Sequence, residues 1–364
     1  AADIKPSLLL RGDTPRLLDE WQVAPVLWDA VRFMVDQRGL PGQFILTGSA
    51  VPQDNVVQHT GTGRISRMMM RPMSLYESGE SNGSVSLSAL FDGETEIDAF
   101  SDLSIEQIAF AIVRGGWPAS IGDTRKSALR HAIDYVEAII NTDVSRVDNI
   151  EKNPARVRAL LRSLSRNIST LATIRTIHND IAMGDDDESI SEKTISQYLN
   201  ALNRIFVTEN LPAWNPALRS KTAIRTSPKR QFVDPSIAAA VMRLTPERLL
   251  DDFNYFGFLF ESLCDRDLRI YAEAIDGEVF HYRDSSGLEA DAVVALNDGR
   301  WAAIEVKLGS KEIEEAAKHL IELKNKVNTE RMQDPSFLMI LTGTEIAYRR
   351  DDGVFVVPIG CLKN

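Results

Sequence analysis

The sequence has few cysteines and no long apolar run. Only Cys264 and Cys361 of its 364 residues are cysteines, and two such distant residues do not make the disulfide framework of a small secreted protein. No apolar run approaches the roughly 18 residues that a membrane-spanning helix needs. The N-terminal residues also lack the charged start and apolar core of a signal peptide. The sequence therefore predicts a cytoplasmic protein in a reducing compartment.

The sequence also lacks an overall positive charge. Its net charge is −11, which argues against a protein whose whole surface is adapted to nucleic acid. The charge is uneven, however, because residues 152–232 contain 13 Lys and Arg against 7 Asp and Glu. This basic segment is the predicted place for contact with duplex DNA.

A third absence is the phosphate-binding loop of ATPases. The string G-x-x-x-x-G-K-[ST] occurs nowhere in the chain. In such a loop, backbone N–H groups and the Lys hold the β- and γ-phosphates of a nucleotide. The chain as given therefore lacks the main phosphate contacts of that class of site.

A strand, helix, strand pattern is nevertheless predicted near the N-terminus. Residues 15–22 and 44–49 have the pattern of strands, and residues 25–37 place apolar side chains at helical spacing. Asp19 and Glu20 close the first strand, as in the Walker B arrangement, where the Asp holds magnesium and the Glu orients the hydrolytic water. An acid pair at a helix N-terminus explains the same letters.

The most informative stretch is a predicted hairpin near the C-terminus. Two apolar runs flank residues 297–299, Asn-Asp-Gly, whose glycine suits a three-residue loop. In that register Asp291 lies opposite Glu305. A two-residue loop would instead pair Asp291 with Val306 and put the two carboxylates on opposite faces.

The same alternation gathers charge on one face of the hairpin. It places Glu289 beside Asp291, and Lys307 beside Glu305. Like charges across a ladder destabilise a sheet by up to about 1 kcal/mol, and a divalent cation would remove that cost. Carboxylates suit magnesium or manganese, and a nearby lysine could hold a phosphate or position the attacking water. The alternative is an exposed strand face that merely carries charges.

Asp291 followed by Glu305-x-Lys307 resembles the PD-(D/E)xK signature of restriction-endonuclease-like nucleases. Glu261, in the string GFLFESL, resembles the acidic residue on their first core helix. The resemblance implies that Glu261, Asp291 and Glu305 are ligands of Mg or Mn, and that Glu305 and Lys307 are catalytic. The usual Pro before the Asp is Ala290 here, a departure that many of these nucleases share.

Longer strings resemble bacterial and archaeal AAA-type ATPases with a C-terminal domain of unknown function that has this nuclease-like fold. The strings are LLDEWQVAPVLWDAVRFMVD, FILTGSA, SPKRQFVDPSIAA and AAIEVKLG. The resemblance implies ATP and Mg as cofactors, with Asp19 as the magnesium acid and Glu20 as the catalytic acid. It further implies Ser49 as the polar sensor near the γ-phosphate and Arg64 as the arginine of a Gly-Arg element. Because the phosphate loop is missing, we expect an N-terminally shortened piece of such an ATPase; a degenerate core is the alternative.

The middle of the chain predicts a winged helix. Two helical patterns in residues 154–183 and a third after Ser191 precede two extended pieces, an order in which the third helix could enter a major groove. The basic residues here include Arg219, Lys221, Arg225, Lys229 and Arg230. Winged helices that bind proteins are the alternative.

The predicted fold class is α/β multidomain. Residues 1–100 are assigned to the C-terminal part of an ATPase core, 101–150 to a helical lid, 151–235 to the winged helix and 236–364 to a restriction-endonuclease-like domain. Residues 77–100 are predicted to form a surface connection. The predicted function is an ATP-binding protein that acts on or near DNA. The alternatives are a Mg- or Mn-dependent DNA nuclease and a non-catalytic protein-interaction module.

Overall fold

The computed structural model describes residues 6–49, 63–144, 152–183, 190–215, 227–327 and 332–364, which form a mixed α/β structure. The α-helices are α1 (Val26–Arg38), α2 (Leu87–Phe91), α3 (Ile105–Arg114), α4 (Arg125–Ala138), α5 (Pro154–Arg166), α6 (Ile174–Ala182), α7 (Glu192–Arg204), α8 (Pro235–Val241), α9 (Pro246–Leu250), α10 (Phe253–Glu273) and α11 (Ile313–Lys326). The β-strands are β1 (Arg16–Leu18), β2 (Phe44–Leu46), β3 (Val85–Ser86), β4 (Asp98–Phe100), β5 (Gly277–Arg283), β6 (Glu289–Leu296), β7 (Trp301–Lys307), β8 (Phe337–Thr342), β9 (Ile346–Arg349), β10 (Phe355–Pro358) and β11 (Leu362–Lys363).

The N-terminal residues form the predicted strand, helix, strand unit. Strands β1 and β2 pair in parallel, with Arg16 opposite Phe44, and α1 lies between them in sequence. A parallel pair needs such a crossover. Leu17 and Ile45 are 61% and 53% exposed, although parallel sheets normally bury both faces.

The C-terminal part is built on a seven-stranded sheet of order β4-β9-β10-β8-β7-β6-β5. Strands β5, β6 and β7 form an antiparallel meander, and β7, β8 and β10 run parallel. The apolar strand β8 is buried along its whole length and lies inside the sheet, as predicted. One face of the sheet packs with α10, including Phe260, and the other packs with α11, including Leu320. The hairpin β6–β7 is therefore covered on both faces.

The prediction of a surface connection at residues 77–100 is wrong. Strand β3 pairs with β11, and β4 pairs with β9 at the edge of the large sheet. Leu87, Leu90 and Phe91 are buried. Glycine, serine and acids dominate the composition of this stretch, but its few apolar residues fill the core of the C-terminal part. The predicted boundary between residues 100 and 101 thus separates strands from their own sheet.

The middle of the chain follows the predicted order of elements. Helices α5, α6 and α7 precede two extended segments that pair antiparallel through Thr208–Phe232 and Leu211–Lys229. The predicted boundary between residues 235 and 236 falls inside α8, so it divides one helix. Three of the basic residues named above, Arg219, Lys221 and Arg225, lie outside the described residues.

A buried arginine ties several segments together. Arg266 on α10 forms ion pairs with Asp234 at 2.9 Å and with Asp267 at 2.7 Å. Asp267 also accepts a hydrogen bond from the backbone N–H of Leu75, and Asp234 accepts one from that of Gly116. The charged cluster therefore joins four stretches that are far apart in sequence. Within the described part of the chain, no helix is long and apolar enough to cross a membrane.

Candidate active site

The turn between β6 and β7 sets the geometry of the site. Leu296 N–H donates to the carbonyl of Arg300 at 2.8 Å, and Gly299 N–H donates to the carbonyl of Leu296 at 3.0 Å. Gly299 has a φ of 92°, which L side chains rarely adopt. The ladder runs from Ala295 opposite Trp301 to Ala292 opposite Ile304. The predicted three-residue loop is confirmed, and the strands are paired in its register as far as Ala292 opposite Ile304.

Two carboxylates meet one lysine at the end of this hairpin. Asp291 Oδ2 accepts a hydrogen bond from the backbone N–H of Val306 at 2.8 Å. Lys307 Nζ lies 3.3 Å from Asp291 Oδ2 and 2.7 Å from Glu305 Oε2. The structure therefore brings Asp291, Glu305 and Lys307 together at the end of the hairpin.

Glu261 and a second lysine complete the cluster. Glu261 lies on α10, and its Oε1 accepts a hydrogen bond from Lys229 Nζ. Lys229 Nζ also donates to the backbone carbonyl of Asp291 at 2.9 Å and lies 3.8 Å from Asp291 Oδ1. The side chain of Lys229 is only 9% exposed. The carboxylates of Glu261 and Asp291 thus share one ammonium.

Lys229 is a site residue, although its sequence context predicted an exposed basic surface. Lys229 and Gln231 alternate along one extended segment, and both side chains contact residues of α10. Arg230, between them, is half-buried and donates to the carbonyl of Ala172 at 2.8 Å. Neither Lys229 nor Arg230 therefore belongs to an exposed phosphate-binding surface. The alternation of Lys229 and Gln231 along the segment could have shown that the two side chains share a face. Nothing in the neighbouring sequence, however, identified α10 as the element they contact.

Asp265, one helical turn after Glu261 on α10, is a second residue that the sequence analysis missed. Its Oδ2 accepts a hydrogen bond from Gln231 Nε2 at 2.6 Å, and the same amide donates to Ser169 Oγ at 2.9 Å. Residues four apart lie on one face of a helix, so this spacing was the readable signal.

The cluster contains more acids than lysines, and both burial and the neighbouring charges shift the pKa values of its members. Burial raises the pKa of Glu261, of Asp265 and of Glu305, because desolvation penalises their charged forms. Burial also acts on Asp291, but Lys229, Lys307 and the N–H of Val306 outweigh it and lower its pKa. Burial opposes the charge of both lysines, yet the surrounding carboxylates raise the pKa of each.

Two carboxylate oxygens in this region are not paired. Glu305 Oε1 and Asp265 Oδ1 are buried and find no hydrogen-bond partner among the described residues. A buried oxygen without a hydrogen bond destabilises the fold, because it has lost its bonds to water and gained none within the protein. The two lysines therefore compensate the buried acids only in part.

A cavity of about 230 Å³ opens beside the cluster. Its lining includes Lys229, Glu261, Asp291, Arg283 and Glu289. Glu289 was predicted to join the patch of Asp291. Its carboxylate instead forms an ion pair with Arg283 at 3.1 Å, at the half-exposed end of β6.

The donor chemistry of the cluster suits a hard divalent cation, but its arrangement does not hold one. Three carboxylates provide the oxygen ligands that Mg and Mn prefer. The ammonium of Lys229 stands between two of them, however, and both oxygens of Asp291 face lysines. Among the described residues, no group of three or more His, Cys, Asp or Glu is arranged to hold a metal ion. As folded here, the predicted ligands Glu261, Asp291 and Glu305 do not fit a bound Mg or Mn.

The N-terminal candidates lie at the ends of β1 and β2. Asp19 Oδ1 accepts a hydrogen bond from Thr47 Oγ1, and Ser49 Oγ donates to Glu20 Oε2 at 3.3 Å. Glu20 has a φ of 52°, in the left-handed region. Arg64 pairs with Asp36 on α1. The structure thus joins Ser49 directly to Glu20, and it places Arg64 against the neighbouring helix.

Two protein-family models match separate parts of the chain. Residues 105–248 match "Domain of unknown function (DUF8612)", and residues 256–362 match "Domain of unknown function (DUF4143)". Neither description states a function. Lys229 lies in the first matched segment, whereas the three carboxylates lie in the second.

Other comparisons add little. No curated protein matches the chain. One solved structure that it resembles is described as the "Refined half-complex from tetradecameric assembly of Thermococcus gammatolerans McrB AAA+ hexamers with bound McrC". That likeness has 10% sequence identity and a TM-score of 0.22, and covers 56% of this chain and 71% of that chain. A likeness of this size supports no statement about fold or partner.

Proposed function

We propose that this chain is part of an ATPase-type protein that acts on DNA and carries a phosphodiester-cleaving site of the restriction-endonuclease type. The site is the cluster of Glu261, Asp291, Glu305 and Lys307. The observation that supports it is the meeting of side chains at the end of the β6–β7 hairpin, where Lys307 contacts the carboxylates of both Asp291 and Glu305. Buried like charges destabilise a fold, so a role in chemistry accounts for this cluster better than a structural one does.

The residues of the cluster divide between binding a phosphate and moving a proton. The carboxylates around Lys307 raise its pKa, so its side chain stays an ammonium at neutral pH and can stabilise negative charge on a phosphate. Burial and the neighbouring Asp291 raise the pKa of Glu305. A carboxyl group with a raised pKa exchanges its proton nearer to neutral pH, which suits general acid–base work.

A cleavage assay tests this proposal. Wild-type protein and Lys229→Met are incubated with supercoiled plasmid or single-stranded DNA in the presence of MnCl₂. Lys229→Met is included because the Lys229 ammonium stands between two of the acids. We expect Lys229→Met to cleave DNA faster than wild type, and its cleavage rate to fall by about a hundredfold or more when Lys307→Met is added to it. Lys318→Met, which removes an exposed lysine on α11, is the matched control and should leave the rate unchanged.

One outcome of this assay would contradict the proposed cleavage site. If Lys229→Met binds manganese yet leaves every DNA substrate intact, the cluster is not a cleavage site. The non-catalytic protein-interaction module then becomes the better account of this domain.

Contact with duplex DNA is proposed for residues 151–235, whose excess of basic residues supports it. Phosphate contacts would make log K fall by about 0.9 per contact for each unit of log salt concentration. Fluorescence anisotropy over a salt series measures this slope. Absence of binding at low salt would remove the proposal.

Nucleotide binding is a second candidate function, and the N-terminal unit supports it. Asp19, Glu20 and Ser49 lie together at the carboxyl ends of two parallel strands, where α/β sheets bind ligands. In an intact site, ATP and Mg would face these residues, while the phosphate loop would supply most contacts. Arg64 belongs to this candidate by resemblance only.

A further inference from the structure

We propose that Lys229 is an internal cation that occupies the divalent-metal position between Glu261 and Asp291, and so closes the site to metal. The inference rests on the proposed function for the identity of the site, and it adds a regulatory contact to it. The contact is autoinhibitory, because a metal ion and the ammonium cannot share the same oxygens.

The contacts of Lys229 are those expected at a metal position. Its Nζ donates hydrogen bonds to Glu261 Oε1 and, at 2.9 Å, to the backbone carbonyl oxygen of Asp291, and it forms a longer ion pair of 3.8 Å with Asp291 Oδ1. Two carboxylates and one carbonyl form an all-oxygen set that hard divalent cations also take. An ammonium has three N–H donors, and Lys229 uses two of them on Glu261 Oε1 and the Asp291 carbonyl, while its charge attracts Asp291 Oδ1. Lys229 therefore holds the set together in the absence of metal.

The charge balance shows that the ammonium is an incomplete substitute for a dication. Glu305 is 2% exposed, and its Oε1 lacks a hydrogen-bond partner within the described ranges of the chain. Its other oxygen contacts Lys307, at the edge of the same cluster. This buried oxygen next to Asp291 is therefore an acceptor that no donor of the described residues satisfies. The cluster can therefore take a more highly charged cation once Lys229 withdraws.

Lys229 reaches the cluster from outside the stretch that carries the acids. Its backbone pairs with Leu211, in the extended segments that follow α7, whereas the carboxylates lie on α10, β6 and β7. The cavity of about 230 Å³ lies against Lys229, Glu261 and Asp291. It gives room for the lysine side chain to leave and for a hydrated ion to enter. A shift of this segment against α10 would open the site.

Manganese binding tests the inference directly. Mn²⁺ is titrated into the full chain and followed by electron paramagnetic resonance, which needs no DNA and no activity. We expect Lys229→Met to bind one Mn²⁺ at least about tenfold more tightly than wild type. Glu261→Gln in the Lys229→Met background should abolish that gain.

Lys307→Met is the matched control, because it removes the same charge from the same cluster. If Lys307→Met and Lys229→Met raise manganese affinity equally, only the net charge matters and the inference is wrong. Micromolar binding of Mn²⁺ by wild type also overturns it, since the site is then open. Lys229→Gln serves as a second variant, because its amide can still donate to the carbonyl of Asp291 and preserve the fold. It should show the same gain as Lys229→Met, and an affinity equal to that of wild type would contradict the inference.

The manganese titration and the cleavage assay together separate the inference from the proposed function. Tight manganese binding by Lys229→Met without DNA cleavage leaves the internal cation standing and removes the cleavage site. If wild type cleaves DNA and replacing Lys229 does not raise the manganese affinity, the cleavage site stands and the internal cation is ruled out.

Discussion

Replacing the buried Arg266 by Met should destabilise this protein more than any surface change. The guanidinium is 1% exposed, and its two partners, Asp234 and Asp267, are fully buried. Removing the shared cation leaves two carboxylates in a medium that solvates them poorly. Breaking one buried ion pair costs about 3–5 kcal/mol, and here one cation serves two acids.

Other contacts of the two acids limit the loss. Asp267 keeps the hydrogen bond from the N–H of Leu75, and Asp234 keeps those from Gly116 and Ser236. Burial already raises the pKa of Asp267, so this acid can take up a proton when its partner is removed. We therefore expect a loss of about 4 kcal/mol in the free energy of unfolding at pH 7. That is a large part of the roughly 5–15 kcal/mol that holds a typical domain.

Urea unfolding followed by tryptophan fluorescence and circular dichroism measures this loss. The matched control is Arg130→Met, which breaks the exposed pair of Arg130 and Asp134 on α4 and should change stability by less than about 0.5 kcal/mol. Combining Arg266→Met with Asp234→Asn and Asp267→Asn should recover at least half of the loss, since no buried charge then remains.

The reasoning is refuted if Arg266→Met costs less than about 1 kcal/mol, within the range of ordinary surface changes. It also fails if the triple variant is less stable than Arg266→Met alone. Either result would mean that water or shape, rather than charge pairing, decides the stability of this cluster.

Three further predictions concern the turn, a histidine and the nucleotide. Gly299→Ala should lower the free energy of unfolding by about 1 kcal/mol or more because of the positive φ at this position. Gly309→Ala, where an added Cβ meets open space, should change stability by less than about 0.5 kcal/mol; equal effects in urea unfolding would contradict the turn assignment. Burial, helped by Lys229, lowers the pKa of His281 from 6.5 to about 4, so the unfolded chain binds a proton between these values and the folded chain does not. Stability should therefore fall with decreasing pH, by about 2 kcal/mol from pH 7 to pH 5, and His281→Gln should remove that part of the slope. Calorimetry of this chain with ATP and Mg should show no saturable binding below about millimolar concentration, because the phosphate loop is missing, and a micromolar Kd would contradict it.

The sequence by itself determined the hairpin whose end carries Asp291, Glu305 and Lys307. This feature is local, because a three-residue loop ending in glycine fixes the register of its two strands. The strand, helix, strand order at the N-terminus and the buried strand β8 were readable for the same reason. In each case the decisive residues are neighbours in sequence.

Tertiary structure alone decided what Lys229 does and where residues 77–100 belong. Lys229 was counted with exposed basic residues, but Glu261 and Asp291 meet it from stretches more than 30 residues away. Strands β3 and β4 lacked any local sign of burial, because their partners β11 and β9 come near the other end of the chain. Charge and composition indicate only whether a residue is more often exposed or buried. Its contact partner depends on which distant elements pack next to it in the folded core. The sequence could therefore identify the acids of the site, but only the folded chain showed the lysine between two of them.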